Sequence, residues 1–394
     1  MPVDETSPKA RRPPDRRAQI AGEASELFAT RGFQSVKMDD IAAASGITAR
    51  AIYRHFQNKQ DLLSSVLLGE QSPLIDVTDE LRRAEPGAVP LAEGLARLAE
   101  AVLDNRRLSM LWQREARHLD EADFRTLRER TKLLLRDYQQ LIVRPARPDI
   151  GDDGVEVRAA AIGSVLSSPA YFESTLSRAR LVRELVEACE RVVAAPVAEP
   201  PAELPAAAHH AHGSRREQLI ASAVSAFRRH GYAGVSIDDI GREAGVVGPA
   251  LYRYFDNKAD ILVAAATRFS EWRALETLRA LDEEPRADRV IGRLIDRYIN
   301  LAAERTDLLA VCITERLFLP DGVRDRFDRV QAENLAEWQR WLLEARPELD
   351  AQRAAVLVHV TRATIDDSVR TPRLRYIRGF ERDLASVAHA ALGV

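Results

Sequence analysis

The chain repeats itself, and nothing else in it limits the possible folds as strongly. Residues 16–67 lie over residues 215–266 without a gap. Phe28 falls on Phe227, Gly32 on Gly231, and Asp39, Asp40 and Ile41 on Asp238, Asp239 and Ile240. Gly46 falls on Gly245, Tyr53 and Arg54 on Tyr252 and Arg253, and Phe56 on Phe255. Asn58, Lys59 and Asp61 fall on Asn257, Lys258 and Asp260. Roughly one position in three is identical, more than chance gives over about fifty ungapped positions. Further on the match is looser: 108–119 resembles 308–319, with Glu115 over Glu315. The 394 residues are thus one unit of roughly 190–200 residues, duplicated. That length allows two to four domains with sizeable cores.

Between the copies, residues 195–213 (APVAEPPAELPAAAHHAHG) have several prolines and little to bury. They read as a linker that, extended at about 3.1 Å per residue, spans up to roughly 60 Å. His209, His210 and His212 within it read as a solvated stretch, because a flexible tail offers no fixed geometry for a metal. The start of the chain, 1–15, reads as a disordered basic arm; Lys9, Arg11 and Arg12, followed by Arg16 and Arg17, could touch phosphates or a minor groove. It has no apolar leader of the secretory kind, and no apolar run reaches the roughly 18 residues of a membrane span. Cys189 and Cys312 each sit in an apolar helical pattern, as small buried hydrophobes or as a redox-sensing pair. With no cysteine framework, the expected compartment is the cytoplasm. The net charge of −3 does not oppose nucleic-acid binding, which depends on local patches.

The fold class expected is all-α. Apolar residues recur at three- and four-residue steps in 91–103, 127–142, 155–166, 181–193, 290–301, 327–343, 353–365 and 380–392. Pro86, Pro90, Pro145, Pro285, Pro320, Pro347 and Pro372 fall between these runs or close them. In the first copy, Ile20, Ala24, Leu27 and Phe28 share one face of a first helix, which Gly32 ends. A short second helix, about 39–45, buries Met38, Ile41 and Ala42. Gly46 turns the chain into a third helix, about 48–56, that buries Ala51, Ile52 and Phe56. Two short helices around a glycine turn, the second with a polar outer face, have helix-turn-helix geometry. Asn58 with Asp61 reads as a cap opening a fourth helix.

The stretches GFQSVKMDDIAAASGITARAIYRHFQNKQDLL and GYAGVSIDDIGREAGVVGPALYRYFDNKADIL each resemble the DNA-binding signature of the tetracycline-repressor (TetR/AcrR) family. The resemblance covers roughly fifty residues per copy and is highly specific for a motif of that length. It implies two tandem units. Each is an N-terminal three-helix helix-turn-helix domain (16–67 and 214–266) followed by a helical ligand-binding and dimerisation domain (68–194 and 267–394). It further implies a transcription regulator, most often a repressor, that releases a double-stranded DNA operator on binding a small-molecule effector. The last two helices of each unit would pair. The pair is an intramolecular pseudo-dimer or a homodimer of chains, and helices at 155–168 and 353–369 are suited to close packing.

In the first recognition helix, Arg50 is the base-reading candidate, since its fork suits guanine O6 and N7. Thr48 could cap the helix or touch DNA, with Ala49 beside it. By the resemblance, Tyr53, His55 and Lys59 match phosphate-contacting positions, although Tyr53 could instead pack on the first helix. Arg54 could reach DNA or form a salt bridge within the domain. The second head departs from this pattern, with Val247, Gly248 and Pro249 replacing Thr48, Ala49 and Arg50. Tyr252, Tyr254 and Lys258 keep the phosphate-type positions, so the second head should read thymine methyls or shape and the operator should be asymmetric. The second helix also differs, being capped by Ser236 in one copy but opened by Lys37 in the other, a loss of about 1 kcal/mol.

Effector-pocket candidates are Trp112, His118, Tyr138 and Phe172 in the first unit. In the second they are Phe318, Phe327, Trp338, Trp341 and His359. Aromatics at helical spacing serve equally as plain core; as a lining they favour a hydrophobic effector. No nucleophile elbow, phosphate loop, HExxH or CxxC pattern occurs, so neither catalysis nor a cofactor or metal is expected. The competing reading is a small-molecule-binding or scaffold protein in which only the first head reads DNA.

Overall fold

The computed structural model describes residues 16–85, 87–198, 214–246 and 248–394. The arm 1–15, the linker histidines His209, His210 and His212, and Val247 lie outside the described residues. Among those described, the chain is helical with no strand, and no helix is long and apolar enough to cross a membrane.

The first half runs α1 (Arg16–Arg31), α2 (Met38–Ala44), α3 (Ala49–Ile52), α4 (Lys59–Arg83), α5 (Leu91–Asp104), α6 (Leu108–Glu115) and α7 (Glu121–Asp137). It continues through a π-helical stretch, Tyr138–Val143, into a short α8 (Arg144–Ala146), then α9 (Asp152–Ser167) and α10 (Arg178–Ala194). Pro145 lies inside α8 instead of between helices. It has no N–H to donate and its ring crowds the carbonyl four residues back. The widened π-turn just before it accommodates this without ending the helix. The second half follows the same order. It comprises α11 (Arg215–His230), α12 (Ile237–Glu243), a 3₁₀ segment Gly248–Arg253, and α13 (Lys258–Glu283). After these come α14 (Val290–Glu304), α15 (Thr306–Thr314), α16 (Asp321–Ala345), α17 (Ala351–Arg370) and α18 (Phe380–Leu392).

The helix starts are written in the sequence. Asn58 accepts a hydrogen bond from the Asp61 N–H at 2.8 Å, and Asn257 from Asp260 at 3.0 Å. Asp120 and Asp350 open α7 and α17 in the same way, at 2.8 Å each. Each such cap satisfies a helix N–H that has no partner within the helix.

The halves join through α9, α10, α17 and α18, which pack as one four-helix bundle within the single chain. Small side chains suit α9 to its packing on α17: Ala159 and Ala161 are fully buried, in the same core as Val358, Val360 and Ile365. One apolar core runs across this bundle from half to half and on into the second head; the first head has a core of its own. Cys189 and Cys312 are buried in different halves, and burial pushes both thiols up, Cys312 to about 12. Both therefore stay as thiols, which matches their reading as small hydrophobes.

Where the end of α10 meets the start of α18 lies a buried cross-half ion pair. Arg158 of α9 is fully buried and meets Asp383 of α18 through two bonds, at 3.0 and 3.3 Å. Its two terminal nitrogens also donate to the carbonyls of Gly154 (3.0 Å), Ala195 (2.8 Å) and Pro196 (3.0 Å), while its Nε has no partner. Ser386 donates to the same Pro196 carbonyl at 2.6 Å. The opening residues of the linker are thus tied down onto α18. Around the rim, Arg353 pairs with Glu184, Arg180 with Asp350 at 2.9 Å, and Arg191 donates to the Ala390 and Ala391 carbonyls. Breaking a buried pair strands a charge, at about 3–5 kcal/mol. Arg158→Met should lower stability by that order in urea unfolding, and Arg158→Met with Asp383→Leu should recover most of it. Equal loss in the single and double variants would count against the pair.

Candidate nucleic-acid interface

Each head is built on a small apolar centre. In the first, Ile20, Ala24, Phe28, Val36, Ile41 and Ile52 are fully buried. Gly46, at φ 65°, makes the turn from α2 to α3, a conformation that suits glycine. Thr48 caps α3 by accepting from the Ala51 N–H at 3.3 Å. Lys37 has no acceptor to cap α2, but Asp40 still accepts from the Lys37 N–H at 2.8 Å. Half of the capping box therefore survives in the first head. In the second it is whole, with Ser236 and Asp239 exchanging bonds at 3.0 and 3.1 Å.

The core leaves an outward face of Thr48, Arg50, Tyr53 and Arg54, all exposed, with Ala49 and His55 half-buried. Arg54 forms no ion pair among the described residues. On the second head, Tyr252, Arg253 and Tyr254 form the corresponding exposed patch. The backbones differ there: Ala49–Ile52 is α-helical, whereas Gly248–Arg253 is 3₁₀. Pro249 disfavours the α conformation for the residue before it, and that residue is a glycine with little helical preference of its own. The turn before it is tight, with the Val246 N–H bonded to the Gly241 carbonyl at 2.7 Å. A Cβ at Gly241 would fall 2.4 Å from the Val246 carbonyl oxygen, so Ala42 of the first head has no allowed equivalent here.

Lys59 and Lys258 hold the heads together. The Lys59 ammonium donates to the carbonyls of Phe33 (2.8 Å) and Val36 (2.9 Å) and lies over the Phe33 ring. Lys258 does the same to Tyr232 (2.6 Å) and Val235 (2.7 Å), over the Tyr232 ring. Burial lowers the pKa of both. Each lysine staples the turn that follows the head's first helix, and a phosphate could be met only through its one remaining N–H.

Each head rests on its body through a buried glutamate. Glu315, fully buried, accepts from the Tyr232 N–H at 3.0 Å, just past the end of α11. Its charge is met by Arg117 of the other half, at 2.7 and 3.2 Å. Gly231 makes room for that arginine: at φ 74°, a Cβ there would lie 2.6 Å from the Arg117 guanidinium carbon. In the first half, Glu115 binds Arg114 at 2.5 Å, and Arg114 donates to the carbonyls of Phe28 and, at 2.8 Å, Ala29. The matched glutamates were visible in the sequence. Arg114 and Arg117 were not, because neither has a repeat partner of its own type.

The aromatic candidates scatter. Phe327 and His359 line a cavity of about 430 Å³ in the second half, and Phe172 stacks on His359 at 4.6 Å. Trp338 is buried beneath it, edge-on to Tyr298. His118 and Phe318 line a recess of about 10 Å³ between the two heads. Trp112 stacks on Phe124, Tyr138 is core, and Trp341 donates to Glu337 at 2.8 Å.

The model of the bacterial regulatory proteins of the tetR family matches residues 20–66 and again 219–265. The chain is similar to that family in these two places. It carries the family's DNA-binding domain twice, in tandem. It is 29% identical over 119 residues to the transcriptional repressor KstR2 of Rhodococcus jostii, covering 30% of this chain and 56% of that protein. It is 38% identical over 66 residues to the regulator SrpR of Pseudomonas putida, 16% of this chain and 31% of the relative. With the activator FasR of Mycolicibacterium smegmatis it shares 41% over 53 residues, 14% and 24% of the two chains. The chain thus spans about half the length, or less, of these curated tetR-family relatives. Among solved structures, a tetR-family regulator from Bordetella parapertussis matches with a TM-score of 0.42 and 22% identity, over 45% of this chain and 95% of that one. KstR2 of Mycobacterium tuberculosis matches at 0.39 and 19%, over 45% and 94%.

Two outcomes follow from this geometry. Lys59→Met should destabilise the first head by about 1–3 kcal/mol, from carbonyls left without a charged donor, with little change in the salt dependence of DNA binding. A salt slope reduced by about one unit, with stability unchanged, would restore a phosphate role. Second, burial and then Arg117 lower His118 to about 4. Its unfolded imidazole takes a proton near 6.5 while the folded one stays neutral, so stability present above pH 6.5 is lost as pH falls toward 4. The melting temperature should drop over that window, and less steeply in His118→Gln.

Proposed function

We propose that the chain is a ligand-responsive DNA-binding transcription regulator, acting as a repressor, in which one chain supplies both heads of a pseudo-dimer. The observation that carries this reading is the intrachain bundle. The last two helices of each half already cover one another, so a second chain is not needed to bring two heads together. Two unlike heads then meet two unlike half-sites. Arg50 reads a base through its guanidinium, and Tyr53, Tyr252 and Tyr254 approach the backbone. Operator release follows from the bracing of the heads. Arg114 lines the 430 Å³ cavity and also holds the end of α1. Thr314 and Arg316 line the same cavity and flank Glu315, which holds the start of the second head's turn. An occupant that shifts these walls shifts both heads.

A second reading has its own support. The 3₁₀ segment at Gly248–Arg253 and the lack of a long donor at Pro249 favour a chain in which only the first head reads DNA, the second half being a ligand-binding or scaffold module.

Selection of sites from random duplexes, with the mass in solution measured alongside, separates the readings. A protein of one-chain mass on two unlike half-sites supports the pseudo-dimer. A single half-site, or a palindrome bound at two-chain mass, overturns it. Arg50→Ala should weaken binding by about 1–3 kcal/mol and relax one half-site only. Equal loss on all sequences would remove its base-reading role.

A further inference from the structure

The cavity that second-half helices line together with Met110, Gln113 and Tyr171 of the first half is far more charged than a pocket for a neutral hydrophobe needs to be. Most of its charges cancel locally. Arg316 pairs with Asp328, Arg370 with Asp367 at 2.5 Å, and Arg114 with Glu115. Two guanidiniums have no such partner. Arg362 of α17 lines the cavity, is only 6% exposed, and forms no ion pair among the described residues. It lies over the Tyr298 ring at 3.6 Å and donates to Asn334 at 2.9 Å, while its Nε has no acceptor. Arg273 of α13 is 2% exposed, and both of its terminal nitrogens lack a partner. Its electrostatic neighbours include Arg362, Cys312 and Asp366, which line the cavity. Burial and Arg362 lower Arg273 only to about 10, so it remains charged at neutral pH.

Against these two positive charges stands one carboxylate outside the local pairs, Asp366, which accepts from the Tyr298 hydroxyl at 2.6 Å. Arg362 on the wall and Arg273 behind it therefore leave one positive charge in surplus, and both side chains are nearly out of reach of solvent. A buried unpaired guanidinium costs several kcal/mol, and such a group in a folded protein calls for an ion or ligand to explain it. The first half has no such need. In the gapless register of the repeat, Arg273 falls on Leu74; counted from the starts of α9 and α17, Arg362 falls on Gly163. Ile313, Leu317, Phe327 and Leu335 make one part of the cavity wall apolar, beside the neutral polar groups of Gln113, Thr314, Gln331 and Tyr171.

We propose that this cavity is the effector site and that it takes a small amphipathic monocarboxylic acid, its carboxylate held by Arg362 with Arg273 behind it and its apolar body against Phe327 and Leu335. The site rests on the regulator reading for its consequence, though not for its chemistry. The occupant keeps the hydrophobic body expected from the aromatic pattern and adds a single negative charge. The lining contributed by the first half, including Met110, Gln113 and Tyr171, means that the acid touches both halves at once.

The test uses the full chain without DNA and four probes of matched length: octanoate, octanamide, octylamine and octyl phosphate. Octanoate should raise the melting temperature and bind measurably by calorimetry, while octanamide and octylamine bind on the order of tenfold more weakly or not at all. Arg362→Met should abolish that preference for the acid over the amide. Arg273→Met should weaken octanoate and leave the unliganded protein as stable or more so, because it removes a stranded charge. Equal binding of acid and amide, or unchanged octanoate affinity in both variants, overturns the proposal. Preference for octyl phosphate overturns the carboxylate assignment. Because binding is read without DNA, an acid that binds but leaves the operator complex intact would count against the release mechanism and not against this site.

Discussion

Everything in this molecule hangs on the packing of α9 and α10 against α17 and α18. The bundle sets where the two heads stand, and it closes within one chain. In a symmetric dimer every contact occurs twice, so a substitution that helps one side is imposed on the other. A fused pair is free of that restriction. The Arg158–Asp383 pair shows the difference: counted from the helix starts, the matched positions are Leu357 and Leu181, both apolar and buried. One crossing is ionic and its counterpart is hydrocarbon. A polar pair at one place only also favours one register of the halves over others, in the way a single buried polar residue does in a coiled coil.

The same freedom extends to the heads and their supports. Glu115 and Glu315 occupy matched places, yet the first is met by an arginine of its own half and the second by Arg117 of the other. The second head is therefore held by the first half as well as by its own body. In the recess between the heads, Gly231 has no room for a side chain because Arg117 fills it. The cavity lies against these same elements. Its walls at Arg114, Thr314 and Arg316 are next to, or are themselves, the groups that brace α1 and the end of α11. The cavity and the braces of the heads thus share Arg114 and meet at Thr314 and Arg316.

Much of the fold could be read without coordinates. The apolar periodicity placed α5, α9, α10, α14, α17 and α18 nearly to their ends, because amphipathic helices record their buried face in the chain. The caps at Asn58, Asn257, Asp120 and Asp350 are equally local. Pro145 was harder. A proline normally ends a helix, but a π-turn can absorb it, and nothing in the neighbouring residues announces that. The outward placement of Thr48, Arg50 and Tyr53 was legible from the helical pattern. The task of Lys59 was not: its partners are carbonyls some twenty-five residues earlier, and a carbonyl leaves no trace in residue identity.

The amino-acid sequence by itself determined the duplication, the all-helical class, the two helix-turn-helix domains and their different residues at Arg50 and Pro249. These are local properties, carried by periodicity, glycine turns and side-chain type. Tertiary structure alone decided that the halves pair with each other inside one chain. It also decided that Arg158 meets Asp383, that Arg117 reaches across to Glu315, and that Arg273 and Arg362 are buried without a carboxylate. Those facts depend on which groups arrive together after the chain has doubled back. For a charged residue, the sequence states the charge, and only the packed interior states whether anything answers it.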